Sequence, residues 1–409
     1  MSYRFIRVTD NYPQYIQSYY EKNKQAHLLS YDEQYKAITN HSIEIVSSFG
    51  RCLRELGVDA FEIISNDKVL QSTWAKEHDV KENASDAEII FEQLKFYRPE
   101  IIWLDTTVFL NKEWVNRIKN EIKGLKLIVG HICAPYNNVI GSSFSHFDIM
   151  FTCTPCFVKE IEEQGGNPYL LYHSFDDQVL KTLAAEANSF PENDFVFTGS
   201  LLTGYGLHKT RIEYLEEFLR SDINLTIYGN IESQKTIRMK QLLHYTIKTM
   251  LSLGMEGLVD GNSFLKKYKK YADAEINNYS KQLINSIREP VFGLDMFKLL
   301  QHSKICFNIH GEIAKVCGGN IRLFEATGAG TCLVTDNKKN MPDLFAVDKE
   351  IVVYNSMEEC VEKVKWLLNN PVKASEIAKA GQQRTLKDHT VKKRAAELNG
   401  LFLEKLRTK

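Results

Sequence analysis

"CGGNIRLFEATGAGTCLVTD", residues 317–336, runs from a glycine-rich loop through a short helix into an apolar strand. Asn320 is the predicted N-cap of a helix that begins near Ile321. Arg322 and Glu325 are three positions apart and therefore lie on one face of that helix. Two interpretations follow: an ion pair on a solvated face, or a carboxylate that binds a cis-diol while the helix start faces a phosphate group. The second explains better why both charges stand between apolar strands.

The alternation of strand and helix extends outward from this stretch, which is typical of an α/β fold. The predicted strands of the first half are "RFIRVT", "AFEIIS", "EIIWLD", "LKLIVGH" and "FDIMFT". After a polar connector the series resumes with "FVFTGSL", "NLTIYGN", "KICFNIHG" and "EIVVYN". Between the first two strands, "ITNHSIEIVSSFGRCLRELG" has the spacing of one amphipathic helix. We therefore predict two Rossmann-like units, at residues 1–190 and 191–385.

One segment of the second unit departs from the alternation. Residues from about 232 to 290 are rich in Lys and Tyr and have helical spacing. We predict that they form a helical insertion. The "KKYKK" run inside it indicates a solvated helix face or, as the alternative, a surface for lipid or a protein partner.

The bulk composition is that of a globular protein. A chain of 409 residues, 44% hydrophobic and 25% charged, fits two domains of common size. The net charge of −1 gives no general attraction to polyanions, so we predict no nucleic-acid partner. The N-terminus lacks the apolar core of a signal peptide, and no apolar run approaches the length of a membrane span. We expect a cytoplasmic protein and leave a peripheral contact with the inner face of the membrane open.

The cysteines are expected to be free thiols. Eight of them are scattered through a chain that reads as cytoplasmic. Cys153 and Cys156 have the C-x-x-C spacing, but a structural zinc site needs two further ligands, and none follows at a similar spacing. The favoured interpretation is a strand end that turns into a helix. We therefore predict no metal site.

The residues that follow the strands are the candidates for a functional site, because ligands of open parallel sheets bind beyond the carboxyl ends of the strands. In chain order these candidates are Asp10, Asp105, His131, Gly199, Ser200, Tyr228, His310 and Asp336. The helix after "TGSLLTGYGLHK" carries Arg211, which together with the glycine-containing turn suits a diphosphate. Taken singly, each of these residues is more often a turn or surface residue.

Four parts of the chain together resemble a known family: "LLSYDEQY" with "VLQSTWAKEH", "FVFTGSL" with "HKTR", "NIRLFEATGAGTCLVTD" with "EIVVYNSMEECVEKVKWLLNN", and "IAKAGQQRTLKDHT". They are similar to the GT-B glycosyltransferases and, within them, to CgeB-like proteins with a "glycosyl transferases group 1" domain. The resemblance implies two facing Rossmann-like domains, a nucleotide-sugar donor bound by the second, and a transfer that needs no metal or other cofactor. It also implies that the last helix, residues 386–409, crosses back onto the first domain.

The resemblance assigns roles to residues of the second domain. Glu325 would hold the donor ribose, and Arg322 would lie near the phosphates or the sugar. The other donor-binding candidates are Gly319, Asn320, His310, Gly199, Ser200, Arg211 and Tyr228. Many retaining members carry a further glutamate eight positions before the first, where this chain has Cys317. Inversion or retention of the sugar configuration therefore stays open.

A general base for an inverting transfer is expected on the opposite wall, in the first domain. Asp10, Asp105 and His131 are its unranked candidates, and His131 is equally well explained as a hydrogen-bonded structural histidine. The predicted function is sugar transfer from a nucleotide sugar to a glycan, lipid-linked or protein acceptor in polysaccharide, glycolipid or glycoprotein assembly. The alternatives are a nucleotide-sugar epimerase of the same fold and a non-catalytic nucleotide-binding protein. The nucleotide, the sugar, the acceptor and the oligomeric state stay open.

Overall fold

The computed structural model describes residues 2–41, 46–185, 192–202, 208–272 and 279–408. Within these residues the chain forms two six-stranded sheets, and every neighbouring pair of strands is parallel. Purely parallel sheets need helices on both faces, and both sheets have them. This architecture confirms the two predicted Rossmann-like units.

The two sheets draw their strands from successive halves of the chain. The first has the order β2-β1-β3-β4-β5-β6, with β1 Arg4–Thr9, β2 Asp59–Ile64, β3 Ile101–Asp105, β4 Leu127–His131, β5 Ile149–Thr152 and β6 Pro168–Leu170. The second has the order β12-β11-β10-β7-β8-β9, with β7 Asn193–Thr198, β8 Leu225–Tyr228, β9 Ile287–Arg288, β10 Ser303–Asn308, β11 Cys332–Asp336 and β12 Val352–Tyr354. Each predicted strand overlaps an observed one, whereas the short β6 and β9 have no clear sequence signal.

Helices connect the strands and cover the sheets. Those before the second sheet are α1 Pro13–Lys22, α2 Tyr31–His41, α3 Ser48–Glu55, α4 Lys68–Glu77, α5 Asp86–Tyr97, α6 Lys112–Glu121, α7 Asn138–Gly141, α8 Pro155–Glu163 and α9 Gln178–Ala185. Those that follow are α10 Lys209–Arg220, α11 Gln234–Ser252, α12 Glu256–Gly261, α13 Ser263–Tyr268, α14 Lys281–Ser286, α15 Gly293–Gln301, α16 Arg322–Ala329, α17 Met341–Leu344, α18 Met357–Asn369, α19 Pro371–Asp388 and α20 Val391–Arg407.

The prediction of one continuous helix over residues 38–57 is wrong. Helix α2 ends at His41, α3 begins at Ser48, and the residues between them that the structure describes are not helical. Ile38 packs in a cluster with aromatic side chains of α1 and α4, whereas Leu53 packs against the first sheet. The apolar residues of this segment therefore belong to two separate clusters, and one straight helix could not place them in both.

The first sheet is buried on both faces because alternate residues of each strand point in opposite directions. On β3, Ile102 and Leu104 join one apolar cluster with α5 and α6. Ile101 and Trp103 join the other cluster, to which α3 and α20 contribute. The near-continuous apolar strands of the sequence thus reflect burial on two sides.

The last helix returns to the first sheet. Leu398 and Phe402 of α20 pack in the same cluster as Phe5 and Trp103, although almost the whole chain separates them in sequence. The terminal helix therefore crosses back onto the first domain, as the resemblance implies.

Helix α9 belongs by packing to the second sheet. Its Val179 and Leu183 lie in one cluster with Val196 of β7 and Phe297 of α15. The predicted boundary at residue 190 assigns this helix to the first unit. Packing favours a boundary before α9, because its apolar face is buried by the second sheet.

The segment that breaks the alternation is helical, as predicted, and it ends in a strand. Helices α11 to α14 lie within it, and Ile247 and Val259 take part in a small apolar cluster of their own. At its end, Ile287 and Arg288 pair with β8 and extend the second sheet. The insertion therefore leaves the sheet after β8 and rejoins it at β9.

Candidate active site

Two adjoining cavities lie at the carboxyl ends of the two sheets. The first-sheet cavity has a volume of about 460 Å³ and is lined by residues that follow β1, β3, β4 and β6. The second-sheet cavity has a volume of about 350 Å³ and is lined by residues after β7 and β8 and at the starts of α15 and α16. Tyr12 and Ile321 line both cavities, and they come from opposite halves of the chain. A ligand that spans both cavities therefore passes from one domain to the other beside these two residues.

A row of ionisable side chains lies along the first-sheet cavity. Strands β1, β3 and β4 are neighbours, so Arg7, Asp105 and His131 come together at one end of the sheet. Arg7 Nε donates to Asp105 Oδ2 (3.1 Å), and His131 Nδ1 lies 2.6 Å from Asp105 Oδ1. Burial acts to raise the pKa of Asp105, but His131 and Arg7 outweigh it and hold that pKa well below its usual range. Asp105 is therefore an ionised acceptor, which fixes the proton of His131 on Nδ1.

The second ring nitrogen of His131 faces a sulfur atom. Nε2 lies 3.1 Å from Cys133 Sγ, which also accepts the backbone N–H of Cys153 (2.7 Å). Cys133 and Cys153 are joined as a disulfide, and His173 lies beside them. Burial lowers the pKa of His173 to about 4, so its ring is neutral. Asp105 thus holds Nδ1 of His131, whereas Nε2 lies against a disulfide sulfur that has no proton to donate.

A second disulfide connects the two halves of the chain. It joins Cys156, in the first turn of α8, to Cys317, in the loop before α16. The expectation of eight free thiols is therefore wrong; among the described residues the free cysteines are Cys52, Cys306, Cys332 and Cys360, all buried. Because its sulfur is bonded, Cys317 supplies no nucleophile in place of the missing glutamate.

Asp10 is more exposed than Asp105 and His131, the other two candidates for the general base. It follows β1, lines the first-sheet cavity and is exposed, and Ser65 Oγ donates to its Oδ1. It also stands two residues before Tyr12, which lines both cavities. The structure thus brings Asp10, Asp105 and His131 to one cavity, with Asp10 nearest in sequence to the junction with the second.

Glu325 and Arg322 lie on the wall of the second-sheet cavity and form a buried ion pair. Glu325 Oε2 is 2.8 Å from Arg322 Nη1, and the Glu325 residue is only 3% exposed. Arg322 Nη1 donates its hydrogen bond to Met296 Sδ (3.0 Å), and Nη2 donates to the Thr198 carbonyl (3.3 Å). Apart from this ion pair, Glu325 Oε2 is buried with no hydrogen-bond partner among the described residues. Burial raises the pKa of Glu325, and Arg322 opposes that rise.

Two helices begin at the second-sheet cavity without a side-chain cap. Phe292, which precedes α15, and Ile321, which precedes α16, line the cavity, and neither donates or accepts a capping hydrogen bond through its apolar side chain. Gly199 and Ser200, directly after β7, line the same cavity. Uncapped helix starts present backbone N–H groups and a positive dipole end, which favour an anion.

Arg211 stands behind the turn that Gly199 and Ser200 form. Its Nη1 donates to the Ser200 carbonyl (2.7 Å), and its Nη2 donates to the Ile309 carbonyl (3.2 Å). Burial lowers the pKa of Arg211 to about 10, at which the guanidinium stays charged at neutral pH. Arg211 thus holds the turn in place and adds positive charge next to the cavity.

The family of the chain follows from its second half. A model of the glycosyl transferase-like family matches residues 179–400, which is more than half of the chain. The chain belongs to this glycosyl transferase-like family. The matched residues include the whole second sheet and most of the second-sheet cavity. No curated protein matches the chain.

Solved structures agree with the fold of this glycosyltransferase. Sucrose-phosphate synthase from Thermosynechococcus elongatus has a TM-score of 0.55 at 10% identity, with 100% of both chains covered. HepE from Anabaena, in complex with UDP and glucose, has a TM-score of 0.57 at 12% identity, with 98% of this chain and 100% of that chain covered. A glycosyltransferase from Rickettsia africae has a TM-score of 0.54 at 10% identity, with 100% of both chains covered. These likenesses show the fold, which is GT-B.

In this glycosyltransferase, the loop before α16 makes contacts that the sequence does not predict. Asn320 exchanges two side-chain hydrogen bonds with Asn308 (2.8 and 3.3 Å). The assignment of Asn320 as N-cap is therefore wrong, and Ile321 occupies the cap position. A Cβ atom on Gly319 would lie 2.3 Å from the Cys153 carbonyl oxygen. The glycine thus permits a close approach of the first domain, and its contact with the donor stays a prediction.

His310 and Tyr228 lie at strand ends of the glycosyltransferase but line neither cavity. His310 Nδ1 is 2.7 Å from Asp336 Oδ1, and His310 Nε2 accepts the backbone N–H of Gly319 (3.2 Å). With both ring nitrogens engaged, His310 positions the loop before α16, and its donor contact stays a prediction. The Tyr228 hydroxyl accepts from Arg288 Nη1 (3.2 Å). Its side chain therefore points towards β9.

Several residues that line the second-sheet cavity of the glycosyltransferase are not among the predicted ones. They are Tyr12, Gln14, Leu202, Asn230, Pro290, Val291, Phe292, Gly293 and Met296. The turn "EPVFG" before α15 is a local signal for part of this set, because Pro and Gly mark a turn directly before a helix. Tyr12 and Gln14 have no such signal, since they reach the cavity from the other domain.

Proposed function

We propose that this glycosyltransferase moves a sugar from a nucleotide-sugar donor to an acceptor hydroxyl in a single displacement. The observation that carries the proposal is the pair of adjoining cavities that share Tyr12 and Ile321. One cavity offers a buried carboxylate and two uncapped helix starts, and the other offers an exposed carboxylate. Donor and acceptor would meet at the junction, with the reacting carbon beside the two shared residues.

The second-sheet cavity suits a nucleoside diphosphate. Among the described residues, the buried Glu325 Oε2 has its ion pair with Arg322 but no hydrogen bond, so a ribose diol would supply the hydrogen bonds that it lacks. The uncapped starts of α15 and α16 and the backbone of Gly199 and Ser200 would face the diphosphate. HepE was solved with UDP and glucose, which supports a uridine nucleotide as the first donor to test.

We propose that protein groups, and not a divalent cation, meet the charge of the leaving diphosphate. Arg322 lies on the cavity wall and Arg211 lies directly behind Gly199 and Ser200. Together with the two helix dipoles they place positive charge where negative charge develops as the sugar leaves.

We assign the general base to Asp10. The carboxylate of Asp105 is a weak base because its pKa is depressed, and His131 Nε2 lies against Cys133 Sγ (3.1 Å), whereas Asp10 is exposed at the cavity. Asp10 would take the proton of the acceptor hydroxyl while that oxygen bonds to the anomeric carbon. The bond from that carbon to the diphosphate breaks, and its electron pair passes to the leaving group. Such a displacement inverts the anomeric configuration.

A panel of nucleotide sugars tests the proposal and separates it from its alternatives. A ligand at about a hundred times its Kd stabilises the folded state by about 2.7 kcal/mol, so we expect one nucleotide sugar to raise the Tm clearly. Nucleoside diphosphate release that requires an added acceptor would support transfer. Turnover to an altered sugar without an acceptor would favour the epimerase, and the absence of stabilisation by any nucleotide would contradict both enzymes.

We also propose that the acceptor is membrane-linked and that the helical insertion binds the anionic lipid of the cytoplasmic face. Lys235, Arg238, Met239, Leu242 and Tyr245 follow the spacing of one helix face on α11. All five are exposed, and Leu242 and Tyr245 are each 68% exposed. Apolar side chains flanked by basic ones are typical of helices that lie in a lipid interface. Among the described residues no helix is long and apolar enough to cross a bilayer, so this contact would be peripheral.

Vesicle binding tests the lipid surface. The double variant Leu242→Asp/Tyr245→Asp should weaken binding to phosphatidylglycerol vesicles by about tenfold or more, since burying one such side chain contributes about 1.5–3 kcal/mol. Val372→Asp is the matched control, because Val372 is 70% exposed on a different helix, α19. Equal binding by the double variant and the wild type in cosedimentation would contradict the proposal.

A further inference from the structure

Three side chains of types that can bind a metal ion meet next to the first-sheet cavity. The ligand atoms of Cys133, Cys153 and His173 all lie within 4.8 Å of one another. Each of the three follows a different strand, and these strands, β4, β5 and β6, are neighbours in the first sheet. Sulfur and imidazole nitrogen are the ligands that zinc prefers in proteins. The order of the strands in the sheet thus brings the three side chains together, whereas a local C-x-x-C spacing does not.

His131 stands beside these three side chains and contacts Cys133, but it is not part of the group whose ligand atoms all lie within 4.8 Å of one another. Its Nε2 lies 3.1 Å from Cys133 Sγ, while its Nδ1 is held by Asp105 at 2.6 Å. A histidine that binds zinc commonly donates its other N–H to a carboxylate, which fixes the ring and leaves the ligating nitrogen unprotonated. Asp105 is itself held by Arg7, so the outer partners of such a site are already in place.

We propose that, in the reduced protein, Cys133, Cys153 and His173 bind one zinc ion at the wall of the first-sheet cavity, and that the ring of His131 moves in to complete the tetrahedron. The Cys133–Cys153 disulfide is the oxidised form of the same pair. Its reduction by an added thiol or phosphine supplies two electrons and two protons, and zinc binding releases the two thiol protons. The site does not depend on the sugar-transfer proposal, since its ligands are defined without reference to a donor.

The zinc would have a positioning role. It would fix the ends of β4, β5 and β6 around the first-sheet cavity, of which Cys133, His131 and His173 form part of the wall. Asp10 is not among the ligands, so the assignment of the general base is compatible with an occupied site.

Metal analysis of the purified, reduced full-length chain tests the site. We expect about one zinc per chain, falling to near zero in Cys133→Ser and in His173→Gln. The control is the double variant Cys156→Ser/Cys317→Ser, which removes the other cysteine pair and should keep the zinc. Unchanged zinc in both ligand variants, or loss of zinc only in the control, would overturn the proposal.

Cobalt substitution keeps the test decisive where a variant fails to fold. The wild-type chain, stripped of metal and reduced, should develop the charge-transfer and intense visible bands of tetrahedral thiolate-bound Co²⁺ at one equivalent. Pre-oxidation with diamide should abolish these bands, because a disulfide does not ligate the ion. Absence of the bands in reduced protein, or the presence of iron with acid-labile sulfide instead of zinc, would overturn the proposal.

Discussion

The variant Asp10→Asn is expected to lower kcat by about 10²- to 10⁴-fold, the usual contribution of a positioned general base. The amide keeps the size of the side chain and its contact with Ser65 but cannot take the proton of the acceptor. The KM for the donor should change little, because Asp10 lies in the first-sheet cavity and not in the second. Steady-state kinetics with the nucleotide sugar and acceptor found in the panel measures both constants.

The matched control for this variant is Asp59→Asn. Asp59 is an exposed aspartate at the first residue of β2, so it lies at the amino-terminal end of the strands, away from the carboxyl end at which Asp10 lies. Its kcat should equal that of the wild type. A kcat for Asp10→Asn within about threefold of the wild type would refute the assignment of the base.

The variant Glu325→Ala is expected to weaken nucleotide binding by about 1–3 kcal/mol, or about 5- to 150-fold in Kd. The variant removes the buried carboxylate that would accept the ribose hydroxyls. It also leaves the buried Arg322 without its ion-pair partner, at 2.8 Å in the wild type, and such a loss is destabilising in itself. Calorimetric titration with the nucleotide therefore needs the Tm of the ligand-free variant beside it.

Two further variants make this result interpretable. Glu325→Gln keeps the volume and a hydrogen-bond acceptor, so it should lose less affinity than the alanine variant. Tyr228→Phe removes a hydroxyl that bonds to Arg288 outside the cavity, so its affinity should stay at the wild-type value. Unchanged affinity in Glu325→Ala, with a normal Tm, would exclude Glu325 from the donor site.

The fold is largely predictable because its elements are specified locally. Strands such as Arg4–Thr9 and Ile101–Asp105 are short runs of mostly buried residues, and each overlaps its predicted position. The exception at residues 38–57 has a tertiary cause. Ile38 and Leu53 belong to different apolar clusters, whereas the helical periodicity of the sequence places both on one apolar face of a single helix.

The site is predictable only where it depends on one element. Arg322 and Glu325 are found from helix spacing alone, and both line the cavity. The orientation of the His310 side chain depends on its contact with Asp336, at the end of a neighbouring strand. Only the order of the strands in the sheet reveals that the two residues are neighbours.

The cysteine cluster shows the same limit more strongly. Twenty positions separate Cys133 from Cys153, and twenty more separate Cys153 from His173. The three side chains meet because the strands that they follow are neighbours in the sheet. The local C-x-x-C spacing instead directs attention to Cys156, whose partner, Cys317, lies in the other domain. Spacing rules therefore miss a group of ligands that the parallel sheet assembles.

A crystal structure of the chain with the nucleotide sugar that stabilises it most tests the central claim directly. We predict that the ribose lies within hydrogen-bond distance of Glu325 and that the diphosphate lies at Gly199, Ser200 and the start of α15. The transferred sugar should lie beside Tyr12 and Ile321, where the two cavities meet. A nucleotide bound anywhere else, with the second-sheet cavity unoccupied, would contradict it.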